Sequence, residues 1–187
     1  GSRSIVVADF DSDGKPDCAV AALEDKVYVL SGRGGALLWS LPRDALLPTP
    51  PGVADLDLDG KPDLVIGSMG AEFRAFSGRS LLWRRQGSAS NAPPVFSDVT
   101  SDGIPDCLVT VEDRAVAALS GRDGLPLWRV DTLGLPSPAP QAIDLDGDRV
   151  GDIVVRSGAH LYSLSGRDGA ILWKSELLRD GYSVSAG

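Results

Sequence analysis

The stretch Asp9-Phe-Asp11-Ser-Asp13-Gly-Lys-Pro-Asp17 places four carboxylates within nine residues of a 187-residue chain. Glycine, proline and serine lie among them, so the segment is predicted to form a tight loop. Carboxylates this close repel one another unless something neutralises them. A single loop of this kind is more often a solvated turn than a metal site. The interpretation therefore depends on whether the loop recurs.

The acidic loop recurs three times along the chain. The first aspartates of successive copies are 46, 43 and 46 residues apart. The three later copies are Asp55-Leu-Asp57-Leu-Asp59-Gly-Lys-Pro-Asp63, Asp98-Val-Thr100-Ser-Asp102-Gly-Ile-Pro-Asp106 and Asp144-Leu-Asp146-Gly-Asp148-Arg-Val-Gly-Asp152. A period of about 45 residues is typical of propeller and solenoid repeats.

A second motif follows each acidic loop at a similar distance. It begins with Ser-Gly-Arg in all four copies and ends at a tryptophan, namely Trp39, Trp83, Trp128 and Trp173. The second copy is two residues shorter between Ser-Gly-Arg and tryptophan, which predicts a trimmed hairpin turn.

Short apolar runs between these motifs predict four strands in each unit and no helix. In the first unit they are Ile5–Ala8, Cys18–Ala22, Lys26–Leu30 and Ala36–Trp39, with a turn at Glu24-Asp25. The predicted fold is therefore an all-β propeller of four-stranded antiparallel blades. Residues 1–187 form a single propeller domain or a propeller fragment, with repeats at about 4–47, 48–91, 92–136 and 137–187. Proline-rich stretches between the units suit the crossings from blade to blade.

The spacing of the loop carboxylates predicts a calcium site in each repeat. Side chains at positions 1, 3, 5 and 9 converge when the loop curls, and calcium accepts six to eight oxygen ligands. The residue at position 7 is expected to add its backbone carbonyl. The predicted ligands are Asp9, Asp11, Asp13, Lys15, Asp17, Asp55, Asp57, Asp59, Lys61, Asp63, Asp98, Thr100, Asp102, Ile104, Asp106, Asp144, Asp146, Asp148, Val150 and Asp152. An EF-hand is excluded, because position 12 is Val20, Ile66, Val109 or Val155 instead of glutamate.

The charge balance agrees with up to four bound Ca²⁺ ions. The loops contain 15 of the 26 acidic residues, and the net charge is −8. Such an acidic chain is a poor partner for nucleic acid, and no apolar run is long enough to insert into a membrane. The third site is expected to be the weakest, because Thr100 replaces an aspartate. The fourth lacks glycine at position 6, where Arg149 stands. The initial Gly1-Ser2 is typical of a cleavage scar, so a missing signal peptide is uninformative.

The loops and their setting resemble the FG-GAP (VCBS) repeats of integrin-α-like β-propellers. The Ser-Gly-Arg-Asp-Gly-x-x-x-Trp segments resemble the tryptophan-docking motif of quinoprotein-type propellers. The combination is similar to that of vertebrate single-pass membrane proteins with integrin-α FG-GAP repeats. The resemblance implies calcium ligands at Asp9, Asp11, Asp13, Asp17 and their equivalents. It also implies loops at the propeller periphery, a recognition role for the ectodomain and no catalytic residue.

Other recurring residues favour structural roles. The tryptophans are expected to wedge between adjacent blades. Arg33, Arg79, Arg122 and Arg167 could form a ring for an anionic partner, although pairing with loop carboxylates is favoured. Cys18 and Cys107 occupy one apolar repeat position and are predicted to be free core thiols. A single histidine, His160, leaves no basis for a triad or an imidazole metal centre.

Three functional hypotheses follow. The leading one is a calcium-stabilised, non-enzymatic adhesion-type module that binds an unknown protein or glycan. It would be extracellular or secreted, either as a free protein or as the ectodomain of a membrane protein. The second is an enzyme, either a quinoprotein-like dehydrogenase or a calcium-dependent polysaccharide lyase, although no inserted loop supplies further residues. The third is assembly: the four units could close alone, pair with a second chain as a homo-oligomer, or belong to a longer propeller.

Overall fold

The computed structural model describes residues 5–21, 26–41, 49–68, 72–87, 89, 92–111, 114–134, 136 and 140–177. The predicted turn at Glu24-Asp25, the Gly1-Ser2 start and parts of the proline-rich crossings lie outside these residues. The described residues form sixteen strands in four antiparallel four-stranded sheets and no helix. None of them therefore forms a helix long and apolar enough to cross a membrane. The predicted all-β propeller architecture is confirmed.

Each sheet is one blade, and its strands are adjacent in the order of the sequence. Blade 1 contains β1 (Ile5–Ala8), β2 (Asp17–Ala21), β3 (Val27–Leu30) and β4 (Leu37–Ser40). Blade 2 contains β5 (Gly52–Ala54), β6 (Asp63–Gly67), β7 (Glu72–Ser77) and β8 (Ser80–Gln86). Blade 3 contains β9 (Val95–Ser97), β10 (Asp106–Val111), β11 (Ala115–Leu119) and β12 (Pro126–Asp131). Blade 4 contains β13 (Gln141–Ile143), β14 (Asp152–Ser157), β15 (His160–Leu164) and β16 (Ile171–Glu176).

Every acidic loop joins the first strand of a blade to the second. The closing aspartate is the first residue of the second strand, and in blade 1 it pairs with the last residue of β1 (Ala8 with Asp17). The Ser-Gly turn joins the third strand to the fourth. In blade 2 this turn is trimmed as predicted, because Ser77 pairs directly with Ser80. The acidic loop and the Ser-Gly turn of a blade are therefore two connections within the same four-stranded antiparallel meander.

The hydrophobic core lies between the blades. Three clusters of buried side chains join blade 1 to blade 2, blade 2 to blade 3 and blade 3 to blade 4. Alternate residues of a strand point to opposite sides. Within blade 3, Cys107 and Val109 pack toward blade 2, whereas Leu108 and Val116 pack toward blade 4. The middle strands are therefore apolar on both faces.

The two cysteines are both free, as predicted. Cys107 is fully buried between blades 2 and 3. The prediction that both are core residues is wrong for Cys18, which is only half-buried. Cys18 lies on the side of blade 1 opposite to blade 2, where no other described blade covers it.

Positions 4 and 6 of every acidic loop adopt the left-handed backbone conformation. At position 4 stand Ser12, Leu58, Ser101 and Gly147, and at position 6 stand Gly14, Gly60, Gly103 and Arg149, with φ between 59° and 85°. The fourth loop thus has its glycine at position 4 instead of position 6, and both positions are left-handed. A non-glycine residue in this conformation costs about 1 kcal/mol or more. All four loops nevertheless adopt the left-handed conformation at both positions.

Candidate cation sites at the acidic loops

Each acidic loop folds around its own backbone amides. In the first loop, the two carboxylate oxygens of Asp9 accept hydrogen bonds from Asp13 N at 3.1 Å and Gly14 N at 2.9 Å. The position-5 aspartate then accepts from the amide two residues later, as in Asp13 with Lys15 N at 2.8 Å. These contacts aim the carboxylates into the loop. They cap the chain where its tight bends leave amides without strand partners.

The position-7 residues donate their N–H groups to the position-5 aspartates in all four loops. The distances are 2.8 Å for Lys15 and Lys61, 2.9 Å for Ile104 and 2.8 Å for Val150. Their carbonyl ligation stays a prediction. The side chains of Ile104 and Val150 are buried, and Val150 belongs to the core between blades 3 and 4. The side chain at this position is therefore constrained by packing in blades 3 and 4.

The closing aspartates are the most buried residues of the loops. Asp17, Asp63, Asp106 and Asp152 are at most 1% exposed. A carboxylate removed from water is costly unless it is hydrogen-bonded or paired with a cation. The hydrogen-bond partners of each closing aspartate therefore decide how strongly a bound cation would stabilise that loop.

In three blades, one oxygen of the closing aspartate accepts a hydrogen bond from the glycine of Ser-Gly-Arg. The bonds are Gly32 N to Asp17 Oδ1 at 3.0 Å, Gly121 N to Asp106 Oδ1 at 2.9 Å and Gly166 N to Asp152 Oδ1 at 3.1 Å. Only glycine fits there. A Cβ on Gly121 would lie 1.9 Å from the carbonyl oxygen of Pro105. The sequence analysis missed this glycine; its recurrence in every Ser-Gly-Arg was the available signal.

The same glycines anchor the preceding blade. The indole Nε1–H of Trp83 donates to Gly121 O, and that of Trp128 donates to Gly166 O, each at 2.7 Å. The predicted wedging between blades is confirmed for these two tryptophans. Trp39 is half-buried against the cluster between blades 1 and 2. The prediction is wrong for Trp173, which is 42% exposed because no blade follows blade 4 among the described residues.

The second loop lacks this glycine contact. Because the turn after β7 is two residues shorter, no glycine amide reaches Asp63, whose Oδ1 is buried and has no hydrogen-bond partner of normal geometry. Burial raises the pKa of Asp63 to about 6, although the Leu56 amide and the Ser77 hydroxyl lower it in part. Asp55 Oδ1 is also buried and unpartnered. Two carboxylate oxygens of this loop therefore lack a hydrogen bond of normal geometry.

Three arginines pair with the position-5 aspartate of their own blade. The ion pairs are Arg33–Asp13 at 2.5 Å, Arg122–Asp102 at 3.2 Å and Arg167–Asp148 at 2.9 Å. The favoured pairing of these arginines with loop carboxylates is confirmed. The Val150 amide and Arg167 lower the pKa of Asp148. Among the described residues Arg79, on the trimmed turn of blade 2, has no such pair, so that part of the prediction is wrong.

Three of the four loops bring carboxylate oxygens within 4.8 Å of one another. These groups are Asp9, Asp11 and Asp13; Asp55, Asp57 and Asp63; and Asp144, Asp146 and Asp152. Asp17, Asp59 and Asp148 lie outside the groups of their loops. Burial first, and then the charges of Asp13, Asp17 and Asp9, raise the pKa of Asp11. The clustered oxygens thus carry unfavourable electrostatic energy.

The third loop is closed by its own hydrogen bonds. Asp106 Oδ2 accepts from Val99 N at 3.0 Å, Thr100 N at 3.1 Å and the Thr100 hydroxyl at 3.2 Å. Asp98, Asp102 and Asp106 do not form a group of the kind found in the other loops within the described part of the chain. Thr100 therefore replaces a carboxylate and also supplies a donor to the closing aspartate.

The donor set of the second loop fits a hard divalent cation. Asp55, Asp57 and Asp63 offer only oxygen ligands, which suits calcium or magnesium and not a soft metal. Asp55 and Asp63, which carry the two oxygens without a hydrogen bond of normal geometry, both belong to this group. A cation bound by these carboxylates would offset charge that the protein's own donors satisfy only in part. The fourth loop offers a group at the same positions 1, 3 and 9, whereas the group of the first loop is at positions 1, 3 and 5.

Comparison with solved structures shows the same fold. BamB from Moraxella catarrhalis aligns with a TM-score of 0.66 and 18% identity, over 91% of this chain and 50% of that chain. BBS1N in complex with ARL6DN, soaked with mercury, aligns with a TM-score of 0.68 and 13% identity, over 92% of this chain and 53% of that chain. The lead-soaked crystal of the same complex gives 0.68 and 12%, over 93% and 55%. The chain thus spans about half the length of these structures.

Sequence profiles divide the chain between two repeat types. Residues 9–66 match the FG-GAP-like repeat, which covers the first two acidic loops. Residues 74–185 match the profile described as outer membrane protein assembly factor BamB. No curated protein sequence matches the chain. Because the second match covers 112 of the 187 residues, the chain belongs to the family described as outer membrane protein assembly factor BamB, and it carries an FG-GAP-like repeat in its first half.

Proposed function

We propose that this protein is a calcium-stabilised propeller module that recognises another molecule and carries out no reaction. The observation that carries the calcium assignment is the second loop. There Asp63 is fully buried, its Oδ1 lacks a hydrogen bond of normal geometry, and its carboxylate lies in one group with those of Asp55 and Asp57. A site of this kind is incomplete without a positive charge.

The role of the cation is structural in this proposal. Asp55, Asp57 and Asp63 would hold it in the second loop, where it supplies the charge that offsets three clustered carboxylates. A ligand that binds only the native state stabilises it by RT ln(1 + [L]/Kd), about 1.4 kcal/mol at tenfold saturation. Extracellular calcium modules bind at about 10⁻⁴–10⁻³ M, which favours an extracellular or secreted location, either as a free protein or as the ectodomain of a membrane protein.

The recognition role is proposed from the fold and the charge. The similar structure of BBS1N in complex with ARL6DN is a precedent for a protein partner on this fold. A net charge of −8 disfavours nucleic acid. Among the described residues, the acidic loops and the arginines paired with them form no arrangement of a base, a nucleophile and oxyanion donors. A protein or a glycan is therefore the proposed ligand class.

The calcium proposal is tested by calorimetric titration of metal-free protein, together with thermal unfolding in calcium and in excess EDTA. We expect saturable binding and a melting temperature lower in EDTA by several degrees. The variant Asp63→Asn should lose one bound ion. The matched control is Asp106→Asn, because Asp106 is equally buried but fully hydrogen-bonded, and it should change the stoichiometry less. An unchanged melt in EDTA, with no heat of binding, would contradict the proposal.

A further inference from the structure

The hairpin of β7 and β8 in blade 2 carries more positive charge than the corresponding hairpin of any other blade. Residues 72–86 contain four arginines and one glutamate, a net charge of +3 in a chain of net charge −8. The hairpins of blades 3 and 4, residues 115–131 and 160–176, each contain two bases and two acids, and that of blade 1, residues 27–40, contains one base. The arginines of blade 2 are Arg74, Arg79, Arg84 and Arg85.

Blade 2 lacks the acids that accompany these bases in blades 3 and 4. There the base directly after the tryptophan has an acid two residues later, and in blade 3 the two form an ion pair, Arg129 with Asp131 at 3.1 Å. In blade 2 the same positions hold Arg84 and Gln86. The shortened turn of blade 2 also omits the aspartate that follows Ser-Gly-Arg in blades 3 and 4. The excess charge therefore belongs to blade 2 alone.

Two of the blade 2 arginines are exposed and form no ion pair with any described residue, namely Arg79 and Arg84. Glu72 is the single acid of this hairpin, and it pairs with Arg74. Arg74 lies directly opposite Arg84 across β7 and β8. Like charges at such positions are unfavourable, so an added negative charge would be stabilising here.

Arg85 places a third guanidinium at the same edge. Its Nη1 donates to the carbonyl oxygen of Arg84 at 3.0 Å, whereas its Nε is buried and has no hydrogen-bond partner among the described residues. The pKa of Asp123 in blade 3 is lowered mainly by the Leu125 amide and further by the charges of Arg85 and Arg122. Asp123 therefore offsets the charge of Arg85 only in part, because Arg122 shares it.

β8 is also the outer edge of its sheet. The first strands of neighbouring blades contact one another, so the fourth strands lie outermost, and no described strand pairs with the outer side of β8. With seven residues β8 is the longest of the described strands. An edge strand presents N–H and C=O groups to which an extended peptide can add as a further strand. Leu81, which is 49% exposed, lies on this strand between Arg79 and Arg84.

We infer that the outer edge of blade 2 binds an acidic, extended segment of a partner protein. Its carboxylates lie at Arg79 and Arg84, which are about 17 Å apart along the strand, and an apolar side chain between them covers Leu81. A peptide suits this edge better than a glycan, because a peptide supplies donors and acceptors at the spacing that continues a sheet. Edge charges also prevent sheets from pairing with one another, but the balanced hairpins of blades 3 and 4 carry such charges without the excess. The inference deepens the proposed recognition role and rests on it.

The test is fluorescence anisotropy of a labelled peptide, Glu-Thr-Glu-Val-Glu-Thr-Glu, titrated with the whole chain in calcium buffer. The neutral peptide has glutamine in place of each glutamate. We expect the acidic peptide to bind at least about tenfold more tightly than the neutral one, and less tightly as salt is added. Arg84→Glu should weaken binding of the acidic peptide at least about tenfold. Lys174→Glu is the matched control, because Lys174 follows the tryptophan of blade 4 at the same register, and it should leave binding unchanged.

Amide hydrogen exchange locates the bound peptide. The amides of β8 should exchange more slowly in the complex, and those of β16 should not change. The inference would be overturned if the two peptides bind alike or not at all, if Arg84→Glu binds as the wild type does, or if β8 is not protected. A sulfated oligosaccharide that displaces the peptide without protecting β8 would also overturn it, in favour of a glycan ligand. Calcium titration of Arg84→Glu tests the calcium part of the proposed function separately, and this variant should bind as many ions as the wild type.

Discussion

The amide of Gly121 donates to Oδ1 of Asp106 at 2.9 Å, so the Ser-Gly-Arg turn and the acidic loop of blade 3 are bound together. The carbonyl of the same glycine accepts the indole N–H of Trp83 from blade 2 at 2.7 Å. One residue without a side chain therefore connects an acidic loop to the junction with the preceding blade. The same arrangement recurs at Gly166 between Asp152 and Trp128.

This connection predicts that Gly121→Ala is strongly destabilising. The new Cβ would lie 1.9 Å from Pro105 O, so the turn must move away from both Asp106 and Trp83. We expect a loss of about 3 kcal/mol in the free energy of unfolding, measured by urea titration. Gly34→Ala is the control, because its Cβ meets nothing within 4 Å and its backbone is not left-handed. If the two variants were equally stable, the turn would accommodate the added methyl group without losing its contacts, and the prediction would be wrong.

The raised pKa of Asp63 predicts a pH dependence with a definite sign. The folded-state pKa of about 6 lies above the usual aspartate pKa of 3.8, so the metal-free native state holds this proton more tightly than the unfolded chain does. The contribution of Asp63 to stability is therefore fully present below pH 4 and is lost as the pH rises through 6. In EDTA, Asp63→Asn should be more stable than the wild type at pH 7 by up to about 3 kcal/mol.

That advantage of Asp63→Asn should shrink as the pH falls toward 4, where Asp63 of the wild type is protonated. In saturating calcium the order should reverse, because the wild type keeps its ligand. The measurement is urea unfolding of both proteins at several pH values, with and without calcium. A difference that is independent of both pH and calcium would mean that Asp63 Oδ1 is satisfied in another way.

The third loop predicts a gain of binding by substitution. Thr100→Asp supplies the missing position-3 carboxylate and removes the hydroxyl that now donates to Asp106. We expect one additional calcium ion per chain, counted by calorimetric titration. Thr100→Ala removes the same hydroxyl without adding charge, and it should not gain an ion. If both variants bind as many ions as the wild type, the residue at position 3 does not determine whether the third loop binds calcium.

The two thiols are predicted to react differently. Burial raises the pKa of the Cys107 thiol, whereas Cys18 is half-buried. A thiol-specific reagent should label one cysteine per native chain and two after unfolding in urea. The Cys107→Ser variant should keep the fast native phase, and Cys18→Ser should lose it.

The sequence determined the repeat and its period because each blade must present the same turns and apolar runs to its neighbours. The four-strand pattern, the trimmed turn at Ser77–Ser80 and the interblade roles of Trp83 and Trp128 followed from that alone. These features depend on local spacing, which a linear sequence displays directly.

The tertiary structure decided which copies of a motif differ in their environment. Asp63 and Asp106 stand at one repeat position, and each is followed 15 residues later by the glycine of Ser-Gly-Arg. Only the amide of Gly121 reaches its aspartate, because the turn of blade 2 is shortened between Ser77 and Ser80. Trp173 and Cys18 have sequence contexts like those of their buried counterparts, but they lie on faces of blades 4 and 1 that no other described blade covers. Exposure and hydrogen-bond satisfaction depend on residues distant in the chain, so only the packed blades could decide them.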